Sequence, residues 1–170
     1  MNYPAVKKYL DSLANYEKNI NYSYPETLKL RRIQDFLALV GNPQDSLRVI
    51  HVAGTKGKGS TCALVAYILR EAGFRTGLYT SPHLNDFRER IRILQPSVYN
   101  SKRRAGDFEG MISKKTLTSL VQELRPAINQ YNRDSKSGRL SCFEVYTATA
   151  FLYFKRQQTD FVVLETGLGG

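Results

Sequence analysis

Apolar residues recur at helical spacing through the opening of the chain. Val6, Tyr9, Leu10 and Leu13 lie three or four apart and predict a first helix. A polar turn running to Pro25 separates it from a second, marked by Leu28, Ile33, Phe36, Leu37 and Val40 and stopped by Gly41, Asn42 and Pro43. The pattern then changes. RVIHVAG (48–54) is a short β-branched run ending in glycine and predicts a buried strand, and TCALVAYILREAGF (61–74) predicts a buried helix with Gly73 at its stop. RTGLYTS (75–81) predicts a second strand, and RIRIL (90–94), alternating basic and apolar, a third. Residues 95–112 are turn-forming and charged without a period, which predicts an exposed loop. Helical spacing returns from Ser113 to Asn132, although Pro126 should kink or divide that helix. CFEVYTATAFLYFKRQQ (142–158) predicts a last helix and DFVVLETGLGG (160–170) a strand running into glycines.

Strands alternating with helices imply an α/β fold: a mostly parallel sheet flanked by helices on both faces. Gly170 stands where such a protein would turn from a strand into its next helix, so the fold is expected to be incomplete.

Composition narrows the class. With 170 residues, 42% of them hydrophobic, the chain has the material for a core. No stretch approaches the roughly 18 to 20 apolar residues of a membrane span, and the first residues lack the order of a secretion signal. A cytoplasmic monomer with no membrane partner is expected. Cys62 and Cys142 have no CxxC partner and no histidine pair beside them, so neither zinc nor a disulfide framework is expected, and both thiols should be buried. The formal net charge of +10 is spread along the chain, and the 11 tyrosines are scattered. Without a basic face or a stacking platform, no nucleic-acid partner is expected, and small anionic ligands or solvated surface account for the basic balance.

The run Gly54, Thr55, Lys56, Gly57, Lys58, Gly59, Ser60, Thr61 carries the main chemistry. Glycines let successive N–H groups turn toward one point, and the helix that follows adds its positive end. A triphosphate fits that trap: Lys58 reaches the β and γ phosphates, and the hydroxyl of Ser60 or Thr61 lies where such loops help hold Mg²⁺. The match to Gly-x₄-Gly-Lys-Ser/Thr is imperfect, because Val52 replaces the first glycine and Gly59 directly follows the lysine. A plain glycine turn between strand and helix is the alternative.

Four ordered motifs, HVAGTKGKGST (51–61), YTSPHL (79–84), RERIRI (88–93) and FVVLETGLGG (161–170), resemble the amino-terminal ATPase domain of the folylpolyglutamate synthase and dihydrofolate synthase family, within the Mur ligase superfamily. The resemblance covers essentially the whole chain. Many members carry Asn where Lys56 stands. It implies a P-loop NTPase-like sheet of the Mur ligase central-domain type. Residues 1–170 would then be a partial ATP-binding domain lacking the carboxy-terminal domain that receives glutamate.

The implied activity joins L-glutamate to folate or dihydropteroate, using ATP and Mg²⁺ and passing through an acyl phosphate. It also implies roles for residues 54–61 in the phosphate loop, with Lys58 catalytic, and for Ser81 and Glu165 as Mg²⁺ ligands. His83 and Arg90 would contact the folate substrate. Read without the family, Ser81 is a turn residue before Pro82, Glu165 a strand-end acid and His83 a loop hydrogen-bonder, while Arg88, Arg90 and Arg92 alternate as solvated strand positions. Lys102, Arg103 and Arg104 would decorate an exposed insertion. A P-loop kinase or other NTPase, and a non-catalytic basic anion- or nucleic-acid-binding module, are the competing classes; the Asn-Lys-x-Asp signature of a GTPase is absent.

Overall fold

The computed structural model describes residues 1–15, 30–96 and 108–167. In chain order the elements are α1 (Tyr3–Asp11), α2 (Leu30–Leu39), β1 (Val49–Val52), α3 (Lys58–Glu71), β2 (Thr76–Tyr79), β3 (Ile91–Leu94), α4 (Lys114–Asp134), α5 (Cys142–Arg156) and β4 (Phe161–Glu165). Short 3-10 turns occupy Pro43–Ser46 and Phe87–Arg90. The chain divides into two compact units, one within Met1–Asp45 and Lys114–Tyr153, the other within Ser46–Ser113 and Phe154–Gly170. Leu28, the turn to Pro25 and the basic run Lys102, Arg103, Arg104 lie outside the described residues.

The first unit is helical. Asn2 caps α1 by accepting the N–H of Ala5 at 3.0 Å, and the helix buries Val6 and Leu10. Along α4, Leu117, Leu120, Val121, Leu124, Ile128 and Tyr131 recur three or four apart and are all buried. Pro126 does not divide this helix. Pro126 and Gln122 are both exposed, so the Gln122 carbonyl that loses its helical donor lies on a residue open to solvent.

Arg32, on the helix whose apolar stripe marks α2, is buried, which its charge did not predict. Its Nε donates to Glu144 Oε1 at 3.0 Å, and Glu144 Oε2 accepts both the N–H and the hydroxyl of Ser141 at 2.7 Å. Each buried charge is thus paired and hydrogen-bonded; removing either partner would strand the other at a cost of about 3–5 kcal/mol.

The second unit holds a four-stranded sheet in the order β1-β4-β2-β3. β1, β4 and β2 run parallel, whereas β3 is antiparallel to β2. Residues 80–90 are too few for the crossover a parallel return needs, so β3 comes back beside β2 in the opposite sense. Side chains alternate across the sheet. Leu78, Leu94 and Val163 face α3 and pack with Cys62 and Ala66, whose small side chains let the helix approach closely. On the opposite face Gly77 lies under Phe154, from the last turn of α5; a Cβ at Gly77 would stand 2.8 Å from that ring.

Several expectations need correction. α3 begins at Lys58, so Lys58, Gly59 and Ser60 form its first turn and do not precede it. The helix is buried on one side only, with Leu64 and Ile68 both 67% exposed. Among the described residues β1 is an exposed edge strand paired to β4 alone; an apolar run by itself does not tell an edge from a central strand. The end of the predicted exposed loop is in fact packed. Ile112 is fully buried, its N–H donates to Ile91 O at 3.0 Å, and Ile93 N–H donates to Gly110 O at 2.8 Å. This segment is too short to show a period. Both cysteines are buried, as expected, and no helix among the described residues is long and apolar enough to cross a membrane.

Candidate functional site

Parallel register decides where the chemistry gathers. Val52 lies opposite Glu165 and Tyr79 opposite Leu164, so β1, β4 and β2 end at one edge of the sheet. Ligands of open α/β sheets bind outside those carboxyl ends. The glycine loop after β1, residues 80–86 after β2 and the end of β4 all emerge there.

Gly57 caps α3 in the left-handed region, at φ 75°, and has no side-chain cap hydrogen bond. Its carbonyl accepts the N–H of Thr61 at 2.9 Å. The first amides of α3 therefore lack a side-chain acceptor at the positive end of the helix, which suits an anion. Lys58 Nζ folds back to donate to Gly54 O at 2.9 Å. Thr55, Lys56, Ser60 and Thr61 are exposed.

Alternation along β4 turns Glu165 to the same side as Val163, toward α3. A Cβ built on Gly59 would lie 3.5 Å from both carboxylate oxygens, so the acid sits against the first turn of α3. Glu165 is 7% exposed, and its Oε2 accepts the N–H of Ser81 at 2.8 Å. Gly59, Ser81 and Glu165, far apart in sequence, are brought together here. Burial, reinforced by the Glu165 charge, pushes the Cys62 thiol up to about 11 and keeps it protonated at neutral pH. Among the described residues no cluster of three or more His, Cys, Asp or Glu forms a cage for a metal. One carboxylate beside Ser81, a residue that also carries a hydroxyl, suits a hard cation that keeps waters and takes phosphate oxygens, as Mg²⁺ does.

His83 and Arg90 are also brought together. Arg90 Nε donates to His83 Nδ1 at 3.0 Å, which makes Nδ1 an acceptor and assigns the ring proton to Nε2. Phe87 lies under the imidazole, with ring centroids 4.4 Å apart. The alternation that made Arg88 and Arg90 solvated strand positions fails, because both belong to the 3-10 turn Phe87–Arg90 and both are buried. Arg88 Nε pairs with Asp86 at 3.2 Å. Arg92 is in β3 but only partly exposed; its Nε donates to Glu109 O at 2.7 Å and its Nη2 to the Tyr67 hydroxyl at 2.9 Å.

Glu89 escaped the sequence reading. Its carboxylate accepts three backbone N–H groups, from Leu84 at 2.7 Å, Asn85 at 2.9 Å and Asp86 at 2.7 Å. Burial pushes this carboxyl upward, but those three donors outweigh it and hold it below the usual carboxylate range. Asp86 and Glu89 form a reciprocal capping box. The Asp-x-x-Glu spacing was the available signal, obscured because it opens a single 3-10 turn and no apolar run follows.

No protein-family model matches the chain. It is 38% identical over 143 residues to the dihydrofolate synthase/folylpolyglutamate synthase of Bacillus subtilis, covering 83% of this chain and 30% of that protein. The crystal structure of folylpolyglutamate synthase from Thermotoga maritima matches 99% of the chain with a TM-score of 0.79 and 36% identity. The chain belongs to the folylpolyglutamate synthase/dihydrofolate synthase family. A folylpolyglutamate synthase complex with AMPPCP and folate likewise matches 100% of it, with a TM-score of 0.77 and 33% identity. The chain spans 30% to 36% of the length of these synthases. Their fold is the one expected from the sequence, a mixed α/β arrangement with a mostly parallel sheet flanked by helices. The family matches favour neither a small kinase nor a basic binding module.

Proposed function

We propose that this chain is the ATP-binding part of a Mg²⁺-dependent ligase that joins L-glutamate to folate, to dihydropteroate or to both. Glutamate would be received by a carboxy-terminal domain outside residues 1–170. The observation that carries the reading is the buried Glu165 carboxylate set against Gly59 of an uncapped, glycine-led helix start. The AMPPCP and folate held by a family relative agree with it.

The physical problem is to bring an anionic carboxylate up to an anionic γ-phosphate. The amides of residues 57–60 would bind phosphate oxygens, and Lys58, released from Gly54 O, would neutralise the β and γ phosphates. Glu165 and Ser81 would hold Mg²⁺, which supplies further positive charge to the phosphates. A carboxylate oxygen of the acceptor then bonds to the γ-phosphorus as its bond to ADP breaks. The glutamate nitrogen attacks the acyl carbon next, expelling phosphate and losing a proton. His83 would contact the acceptor, with Arg90 behind it.

Titration calorimetry of ATP with and without Mg²⁺ tests the metal assignment. Wild-type protein should bind ATP more tightly with Mg²⁺, and Glu165→Gln should lose about tenfold or more of that gain. An undiminished Mg²⁺ effect in the variant would remove Glu165 from the metal site, and absence of ATP binding by the wild type would remove the ligase reading. Assaying the full-length protein with dihydropteroate and tetrahydrofolate as rival acceptors decides between the two activities.

A further inference from the structure

Two adjacent buried residues, Glu89 and Arg90, spend their polar groups on the same short loop. Glu89 Oε2 takes the N–H of Leu84, and Oε1 takes those of Asn85 and Asp86. Arg90 Nε donates to His83 Nδ1. Phe87, 5% exposed, supports the imidazole from below, while Leu84 stands 79% exposed beside it. The loop has no regular structure of its own to hold it, since residues 80–86 lie between β2 and the 3-10 turn. The donors of residues 84–86 are all taken by one carboxylate, so the shape of this part of the loop depends on that carboxylate having two acceptor oxygens.

We propose that Glu89, with Arg90, is a positioning residue for the acceptor substrate: it holds residues 84–86 and the His83 ring in the geometry that meets the acceptor. The inference rests on the reading of His83 as an acceptor contact and adds the residues that set its orientation. Glu89 touches no reacting atom and acts through the loop. A carboxamide at this position keeps the size but offers one acceptor oxygen, and its NH₂ group would face a backbone N–H. At least one of the three bonds is then lost and the loop shifts. A displacement of this kind costs between about ten- and a hundredfold where a bound group must be aligned.

The test uses the full-length ligase carrying this chain, with dihydropteroate and tetrahydrofolate as probes. Glu89→Gln should raise the KM for the acceptor by about tenfold or more, with the KM for ATP changed less than twofold. Arg90→Lys keeps the charge but loses the planar Nε–H that meets His83, and should show the same selective rise. Equal changes toward ATP and acceptor, or none, would overturn the proposal while leaving the ligase reading standing. A wild-type protein that binds neither acceptor would remove both. Loss of folding in both variants would mark Glu89 and Arg90 as structural and would also overturn it.

Discussion

Two loops leave the same edge of the sheet and treat their backbone donors in opposite ways. After β1, the start of α3 has no side-chain cap, and its lysine rests on Gly54 O, a neutral acceptor it can leave. After β2, the donors of residues 84–86 are all taken by Glu89, and that of Ser81 by Glu165. The first loop leaves its donors without a side-chain acceptor, as an anionic ligand would require. The second uses them internally, so that its contribution to binding falls to side chains held in a set shape. Under the proposed function, the difference would separate a loop that binds phosphate, which every nucleotide shares, from one that discriminates among acceptors.

The largest test of this contrast empties the first loop. Lys58→Ala should lower kcat for amide formation in the full-length ligase by at least about a hundredfold, because charge on the transferring phosphoryl group is no longer offset. Thermal stability should hardly change, since the fold loses only the bond to Gly54 O. Parallel loss of activity and melting temperature would instead mark the lysine as structural.

A smaller effect follows from the shape of the same loop. Nothing lies within 4 Å of a Cβ built on Gly57, so Gly57→Ala costs only the left-handed backbone, about 1–2 kcal/mol. Gly57→Asn should lose less, because asparagine tolerates that region better. Denaturant titration of the three proteins checks the order; equal losses for Ala and Asn would point to a clash instead.

The smallest effect concerns the filled loop. Glu89 is held below the usual carboxylate range in the fold, so its stabilising bonds are present above the unfolded carboxyl's pKa, about 4.3, and disappear as pH falls through the lower folded value. The stability gap between wild type and Glu89→Gln should be widest near neutrality and should close in acid. A gap that stays constant down to about pH 2 would mean that the carboxylate charge contributes nothing.

Legibility in the sequence followed range. Helices with a long apolar stripe, such as α4, were readable because Leu117, Leu120, Val121, Leu124 and Ile128 repeat over several turns. The glycine loop was readable because its donors and its lysine are neighbours in the chain. Arg32 was not, since its partner Glu144 lies on another helix. The exposure of β1 depends on which strands pair with it, and the burial of Ile112 on a ladder to residues of β3.

By itself the sequence determined the kinds of element, their order, the glycine loop between β1 and α3 and, through four spaced motifs, the family. Tertiary structure alone decided that Glu165 faces Gly59, that Ser81 donates to it, and that Glu89 and Arg90 turn inward to hold the His83 loop. The reason is geometric: helix and strand periods are local and visible in one dimension, whereas a site at the end of a parallel sheet is assembled by strand register and alternation across segments that the chain keeps apart.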